Sequence, residues 1–191
     1  GPGLGQGSGT RTFIQTLVDR ATQPLVIDAD GLNAFAGQPD RLAGREGREV
    51  IITPHPGEMA RLAGLTIEEV QANRIEVART FATTHQVYVV LKGHRTLVAT
   101  PEGTVFVNPT GNPGMATGGT GDVLCGMVAA LLAQLLDAEA ACTLAVYLHG
   151  MAGDLAQADE GEMAMTAGDV AAHIGDAVLE LTARRKVVEK E

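Results

Sequence analysis

Apolar residues gather in three short runs, PLVID (Pro24 to Asp28), EVIIT (Glu49 to Thr53) and VYVVLKG (Val87 to Gly93). Runs of this length, rich in Val and Ile, predict strands buried on both faces. Elsewhere the apolar positions change to helical spacing. Thr66 and Glu69 have the spacing of a capping box, and Val70, Ile75, Val77, Ala78 and Phe81 follow as the inward face of one helix. Strands alternating with helices predict a parallel sheet with crossover connections. TLVATPEGTVFVN then reads as a hairpin of two short strands around a turn at Thr100 to Gly103.

Two Ala- and Gly-rich helices are expected next. The first, about Thr120 to Leu135, carries Leu124, Met127, Val128, Leu131 and Leu135 on one face. The second, about Ala138 to Ala156, turns Ala141, Leu144, Ala145, Leu148, Met151 and Leu155 inward. TAGDVAAHIGDAVLEL is a last helix capped near Thr166, and RRKVVEKE, residues 184–191, reads as a solvated charged tail. With no internal repeat and no linker, residues 1–191 read as one α/β domain.

Composition narrows the partners. The chain of 191 residues is 45% hydrophobic but only 3% aromatic, so its core must be built from Leu, Val, Ile and Ala. A formal charge of −9 argues against nucleic acid or an anionic membrane as partner. Any phosphate site must therefore be local, made of backbone amides and a few cations. No segment reaches the roughly 18 uninterrupted apolar residues of a membrane span, and a cytoplasmic protein is the expectation. Cys125 and Cys142 fall inside the predicted helices without CxxC spacing and read as reduced core thiols.

Four polar clusters carry candidate chemistry. GNPGMATGGTGD, Gly111 to Asp122, holds five glycines and ends on its one ionisable residue, immediately before an apolar helix. Unpaired amides and a partial positive charge at a helix start, reached through glycines, make an anion cradle. A carboxylate there would repel a phosphate unless it accepts a proton from an attacking hydroxyl, as phosphoryl transfer to an alcohol requires. A glycine-rich turn with Asp122 as a helix-start charge explains the stretch equally well. The loop is not a P-loop, since GxxxxGK[ST] is absent. TPHPGE (Thr53 to Glu58), LKGHRT (Leu91 to Thr96) and DADGLN (Asp28 to Asn33) each follow a strand, at the carboxyl edge where open α/β sheets bind ligands. Taken singly, His55, Glu58, Lys92 and Arg95 are also ordinary loop and helix-start residues. Their convergence on one sheet edge favours a site.

In order along the chain, GPGLG, DADGLN, TPHPGEMARL, VLKGHRT and NPTGNPGMATGGTGDVLCGMVAALLAQ resemble the NAD(P)H-hydrate dehydratases, repair enzymes of the ribokinase-like superfamily. The resemblance runs from Gly1 to about Ala156 and implies a ribokinase-like, three-layer α/β/α fold with a mostly parallel central sheet plus a β-hairpin. It also implies that an N-terminal part of the usual domain precedes GPGLG, since a tag remnant would not explain Leu4, Gly5 and Gln6. The implied reaction restores NADH or NADPH from its hydrate: a nucleotide phosphorylates the hydroxyl, and phosphate loss re-forms the double bond. By matching position, Asp122 is implied as the base at that hydroxyl and Gly119, Thr120 and Gly121 as the anion hole. Lys92, Gly93, His94, Arg95 and Thr96, with Gly121, are implied to bind the nucleotide. Gly3 and His55, with Asp122, are implied to hold the damaged cofactor, and Glu58 to organise Mg²⁺ through water. His94 and Arg95 depart from the small residues that many relatives carry there. The donor implied is ADP, with ATP as the other option. The partners implied are NADH hydrate and NADPH hydrate, a homo-oligomer (commonly a tetramer), and a fused or separate NAD(P)H-hydrate epimerase. A superfamily kinase of a small alcohol, such as hydroxymethylpyrimidine or a thiazole, would share the cradle and base. A non-catalytic nucleotide-binding fragment is the third reading.

Overall fold

The three apolar runs pair in parallel as β1 (Leu25–Ile27), β2 (Val50–Ile52) and β3 (Tyr88–Leu91), with Ile27 opposite Ile52 and Ile52 opposite Val89. The computed structural model describes residues 1–45, 47–135 and 137–188. The hairpin strands β4 (Leu97–Ala99) and β5 (Val105–Val107) add antiparallel, giving the order β1-β2-β3-β4-β5. Its turn closes with the Gly103 amide donating to the Thr100 carbonyl at 2.9 Å.

Strand side chains alternate between two cores, as the pleat requires. Ile27, Val50, Ile52, Val89, Leu91, Leu97 and Ala99 join one cluster. That cluster also takes residues from α1 (Ser8–Arg20), α2 (Asp30–Asn33), α3 (Pro56–Ala63), α4 (Ile67–Ala72) and α5 (Arg74–His85). Ile51, Val90 and Val98 face the other cluster, beneath α6 (Thr120–Leu135), α7 (Ala138–Glu160), α8 (Ala167–Ala172) and α9 (Ile174–Val188). The result is three layers, α/β/α. No helix among the described residues is long and apolar enough to cross a membrane.

Several expectations need correction. The helix begun by Thr66 is two helices, because Asn73 leaves the helical conformation at φ −134°. That break rotates the later face: Val70, Ala78 and Phe81 are buried, but Ile75 is exposed. The final helix also breaks, at His173, and residues 184–188 continue α9 instead of starting a tail. Residues 189–191, and the side chains of Leu135 and residues 184–188, lie outside what is described. Cys142 is buried, while Cys125 is only half-buried; both thiols are free.

Candidate functional site

Each parallel strand ends at a polar residue. β1 runs into Asp28, β2 into Thr53 and β3 into Lys92, and the Lys92 amide donates to the Pro54 carbonyl at 2.9 Å, joining two of these ends. Lys92 Nζ then reaches Asp28 Oδ1 at 2.8 Å and Glu58 Oε2 at 3.8 Å. Asp28 is fully buried, and its Oδ2 has no hydrogen-bond partner. Beside it Ala29 is held at φ +50°, ψ −121°, a costly conformation for a residue with a Cβ. A half-buried ammonium between the two buried carboxylates is what keeps such charges tolerable.

His55 caps α3. Its Nδ1 accepts from the amides of Gly57 and Glu58 at 3.0 and 3.3 Å, while the Glu58 carboxylate accepts from the His55 amide at 2.8 Å. Glu58 is therefore committed to the cap and to Lys92. Among the described residues no three His, Cys, Asp or Glu side chains come together in a way that could hold a metal ion. These carboxylates do not fit direct Mg²⁺ ligation.

The loop after β3 is held from beneath. The Arg74 guanidinium donates to the carbonyls of Leu91 (3.1 Å), Lys92 (3.4 Å) and His94, and burial pushes its pKa down. Gly93 sits at φ +136°, and a Cβ there would come within 3.2 Å of that guanidinium. Nothing in the sequence distinguished Arg74 from its helical neighbours.

The glycine loop lies along α7. Thr110 Oγ1 donates to the Tyr147 carbonyl at 2.9 Å, and Asn112 Nδ2 to the Gly153 carbonyl at 2.8 Å. Asp154 accepts from the Gly111 amide and from Asn112 Nδ2, both at 3.0 Å. At the far end Gly119 takes φ +95°, and Thr120 Oγ1 donates back to the carbonyls of Met115 and Thr117 at 2.8 and 2.9 Å. The Thr120 hydroxyl is thus spent inside the loop, leaving only its backbone for an anion. Gly121 packs on Lys92: a Cβ there would stand 3.2 Å from Nζ.

A cavity of about 470 Å³ opens between these segments, within the range of small-molecule sites. Its walls include all of residues 92–96, the stretch from Thr110 to Pro113, Thr120, Gly121 and His149. The expected nucleotide segment and two of the three expected anion-hole residues therefore share one wall. Gly119, Asp122, His55, Glu58 and Gly3 do not line it. Asp122 is exposed and makes no side-chain hydrogen bond or ion pair among the described residues. The surroundings of Cys125, one helical turn further on, locate its neighbours. Burial pushes that thiol up first, Asp28 and Asp122 add to it, and the Gly1 amine and Lys92 oppose it. Asp122 lies in the first turn of α6, which packs against β1, the strand that ends at Asp28. In the N-terminal loop Gly3 takes φ +74°, and the Gly5 amide donates to Asp30 Oδ2 at 2.9 Å, holding the Asp30 carboxyl below its usual range.

His149 was not anticipated. It is 8% exposed, its Nε2–H donates to the Thr120 carbonyl at 3.0 Å, and burial pushes its pKa down to about 4. One signal was available: a lone imidazole on an otherwise apolar, Ala-rich helical face.

A family model described as NAD(P)H-hydrate dehydratase matches residues 1–175. The bifunctional NAD(P)H-hydrate repair enzyme of Moorella thermoacetica is 48% identical over 170 residues, which is 89% of this chain and 32% of that protein. The chain thus spans about a third of the length of that relative. Among solved structures, the Bacillus subtilis ADP/ATP-dependent NAD(P)H-hydrate dehydratase co-crystallized with ATP/Mg²⁺ superposes with a TM-score of 0.81 at 35% identity. The match covers 94% of this chain and 62% of that one. A ribokinase-like superfamily protein from Enterococcus faecalis gives a TM-score of 0.76 at 31% identity, over 93% of this chain and 62% of that one. The fold is therefore ribokinase-like.

Proposed function

The chain belongs to the NAD(P)H-hydrate dehydratase family, and on that premise we propose that it restores NADH and NADPH from their hydrates at the expense of ADP. The observation that carries this reading is the wall shared by residues 92–96 and the start of α6: one cavity joins a cationic loop to open helix amides. The diphosphate lies on the amides of Thr120 and Gly121, which line the cavity, with Gly119 preceding them as the third member of the proposed anion hole, where the helix start supplies partial positive charge. Lys92 lies beside Gly121 and is neutralised from behind by Asp28 and Glu58, so it orders the wall without making the site strongly cationic.

The acceptor comes from the other side of Gly121. Gly3, His55 and Asp122 lie outside the cavity, and there the hydrated nicotinamide ring presents its hydroxyl. Asp122 takes the hydroxyl proton as the oxygen bonds to the terminal phosphorus and AMP leaves. The C–O bond then breaks, phosphate departs with its electron pair, and loss of a proton from the adjacent ring carbon re-forms the double bond. ATP is the alternative donor, and Mg²⁺ would serve as the counter-ion of the nucleotide phosphates, organised by Glu58 only through water. A homotetramer in the cytoplasm, working beside an epimerase for the hydrate, completes the proposal.

The test is direct. The protein is mixed with chemically hydrated NADPH and ADP, and the returning absorbance of the reduced nicotinamide is followed while AMP and phosphate are assayed. Stoichiometric recovery of all three supports the reading. A stable phosphorylated product, with no recovered cofactor, would identify an alcohol kinase instead. ADP binding with neither product would identify a nucleotide-binding fragment.

A further inference from the structure

The glycine loop poses a physical problem that the proposed reaction does not answer. Glycines lose more conformational freedom on folding than other residues, yet an oxyanion-type cradle works only if its amides are already in place. Something outside the loop must hold it, and α7 lies alongside it from end to end. Asn108 Nδ2 donates to the Val146 carbonyl at 3.3 Å, and the Thr110 and Asn112 contacts follow further along the same helix. Two glycines of α7 allow the close approach. A Cβ on Gly150 would fall 2.2 Å from Thr110 Oγ1, and one on Gly153 2.3 Å from Met115 Sδ.

Two side chains close the ends of this contact. We propose that His149 and Asp154, within the α7 segment HGMAGD, are positioning residues. Asp154 fixes the entry of the loop through the Gly111 amide and Asn112, and His149 fixes its exit by donating Nε2–H to the Thr120 carbonyl. The proposal rests on the phosphoryl-transfer reading only for its consequence, since the contacts stand by themselves. A carbonyl can only accept, so the His149 proton resides on Nε2. The buried ring, held neutral at physiological pH, keeps that tautomer. Thr120 is the first residue of α6, so the bond tethers the turn that bears Gly121 and Asp122. Neither His149 nor Asp154 needs to touch the reacting atoms.

Hydrogen–deuterium exchange combined with steady-state kinetics tests this on the full chain. His149→Leu removes the donor, His149→Gln restores an N–H at a similar reach, and Asp154→Asn loses one acceptor at a half-buried position that tolerates the change. Exchange at residues 118–123 should rise about tenfold in His149→Leu and return to near the wild-type rate in His149→Gln. In Asp154→Asn the increase should fall on residues 110–115. Turnover should follow with kcat reduced and KM for ADP little moved, because the loop still binds but is misplaced. If His149→Leu does not fold, His149→Phe replaces it as the variant without a donor: unchanged exchange at residues 118–123 in that variant, or at residues 110–115 in Asp154→Asn, overturns the proposal. Equal impairment in His149→Gln and His149→Leu also overturns it. Should the wild type show no ADP-dependent recovery while the exchange pattern appears as described, the functional reading falls and the positioning role stands.

Discussion

Replacing Lys92 by Met tests the buried charge cluster most severely. Lys92 Nζ lies 2.8 Å from Asp28 Oδ1, and its side chain is 17% exposed against 1% for that of Asp28. Glu58 Oε2 adds a second, weaker contact at 3.8 Å. Methionine fills the same volume but leaves a fully buried carboxylate without its cation, and Asp28 Oδ2 already lacks a partner. Breaking a buried pair from one side costs about 3–5 kcal/mol, a large fraction of the roughly 5–15 kcal/mol that stabilises a domain. Removing both charges is different. Asp28→Asn with Lys92→Met removes the fully buried uncompensated ion and leaves only Glu58, whose carboxylate still accepts from the His55 amide, so the double variant should be about 2 kcal/mol or more better than the sum of the single changes. Urea denaturation of all four proteins at neutral pH measures the cycle. A Lys92→Met cost under about 1 kcal/mol, with coupling near zero, would mean the pair behaves like a surface ion pair, and the account of the site's foundation would be wrong.

Three further outcomes follow from the same geometry. Asp122→Asn should lower kcat by about 10²–10⁴-fold while calorimetric ADP affinity stays within about twofold, since only proton acceptance is lost. Gly150→Ala should cost about 1–3 kcal/mol in a thermal melt, because its Cβ meets both Thr110 Oγ1 at 2.2 Å and the Thr110 carbonyl carbon at 2.7 Å. Gly126→Ala on α6, with nothing within 4 Å, should instead stabilise by up to about 1 kcal/mol. The third outcome concerns pH. His149 has a folded pKa near 4 against 6.5 ordinarily, so the unfolded chain takes up a proton that the folded one refuses. The contribution is intact above pH 6.5 and is lost as pH falls toward 4, by about 3 kcal/mol in all. Urea midpoints across that window should show the slope, and His149→Gln should flatten it.

The strands, the hairpin and α6 were legible because short β-branched runs and a long apolar period are local signals. What escaped depended on tertiary context. α1 has Ile14 and Val18 buried but Phe13 and Leu17 exposed, a weak period that the sequence alone does not mark as a helix face. Asn73 and His173 interrupt helices without Gly or Pro, so no breaker announced them. The site shows the same division. Glycines, prolines and the LKGHRT cations stand out as letters, and four of the clusters do meet at the sheet's carboxyl edge. The partners that organise them, Arg74, His149 and Asp154, act across 17 to 43 residues of chain and carry no local mark. Ala29 is the extreme case, because nothing about an alanine announces φ +50°.

The exposed position of Asp122 first looks like a fault in the proposed chemistry, since a base is expected to look into a cavity. An in-line transfer requires the opposite. Donor and acceptor must approach the phosphorus from opposite sides, so a residue that serves the acceptor has no place on the nucleotide's wall. Gly121 belongs to the cavity and Asp122, the next residue, does not. The helix turns by about 100° per residue, so adjacent positions at its start point in different directions. Glycine at 121 keeps the boundary thin, and Lys92 lies directly behind it. On the proposed mechanism the phosphorus sits beside Gly121, with the nucleotide on one side and the hydroxyl served by Asp122 on the other.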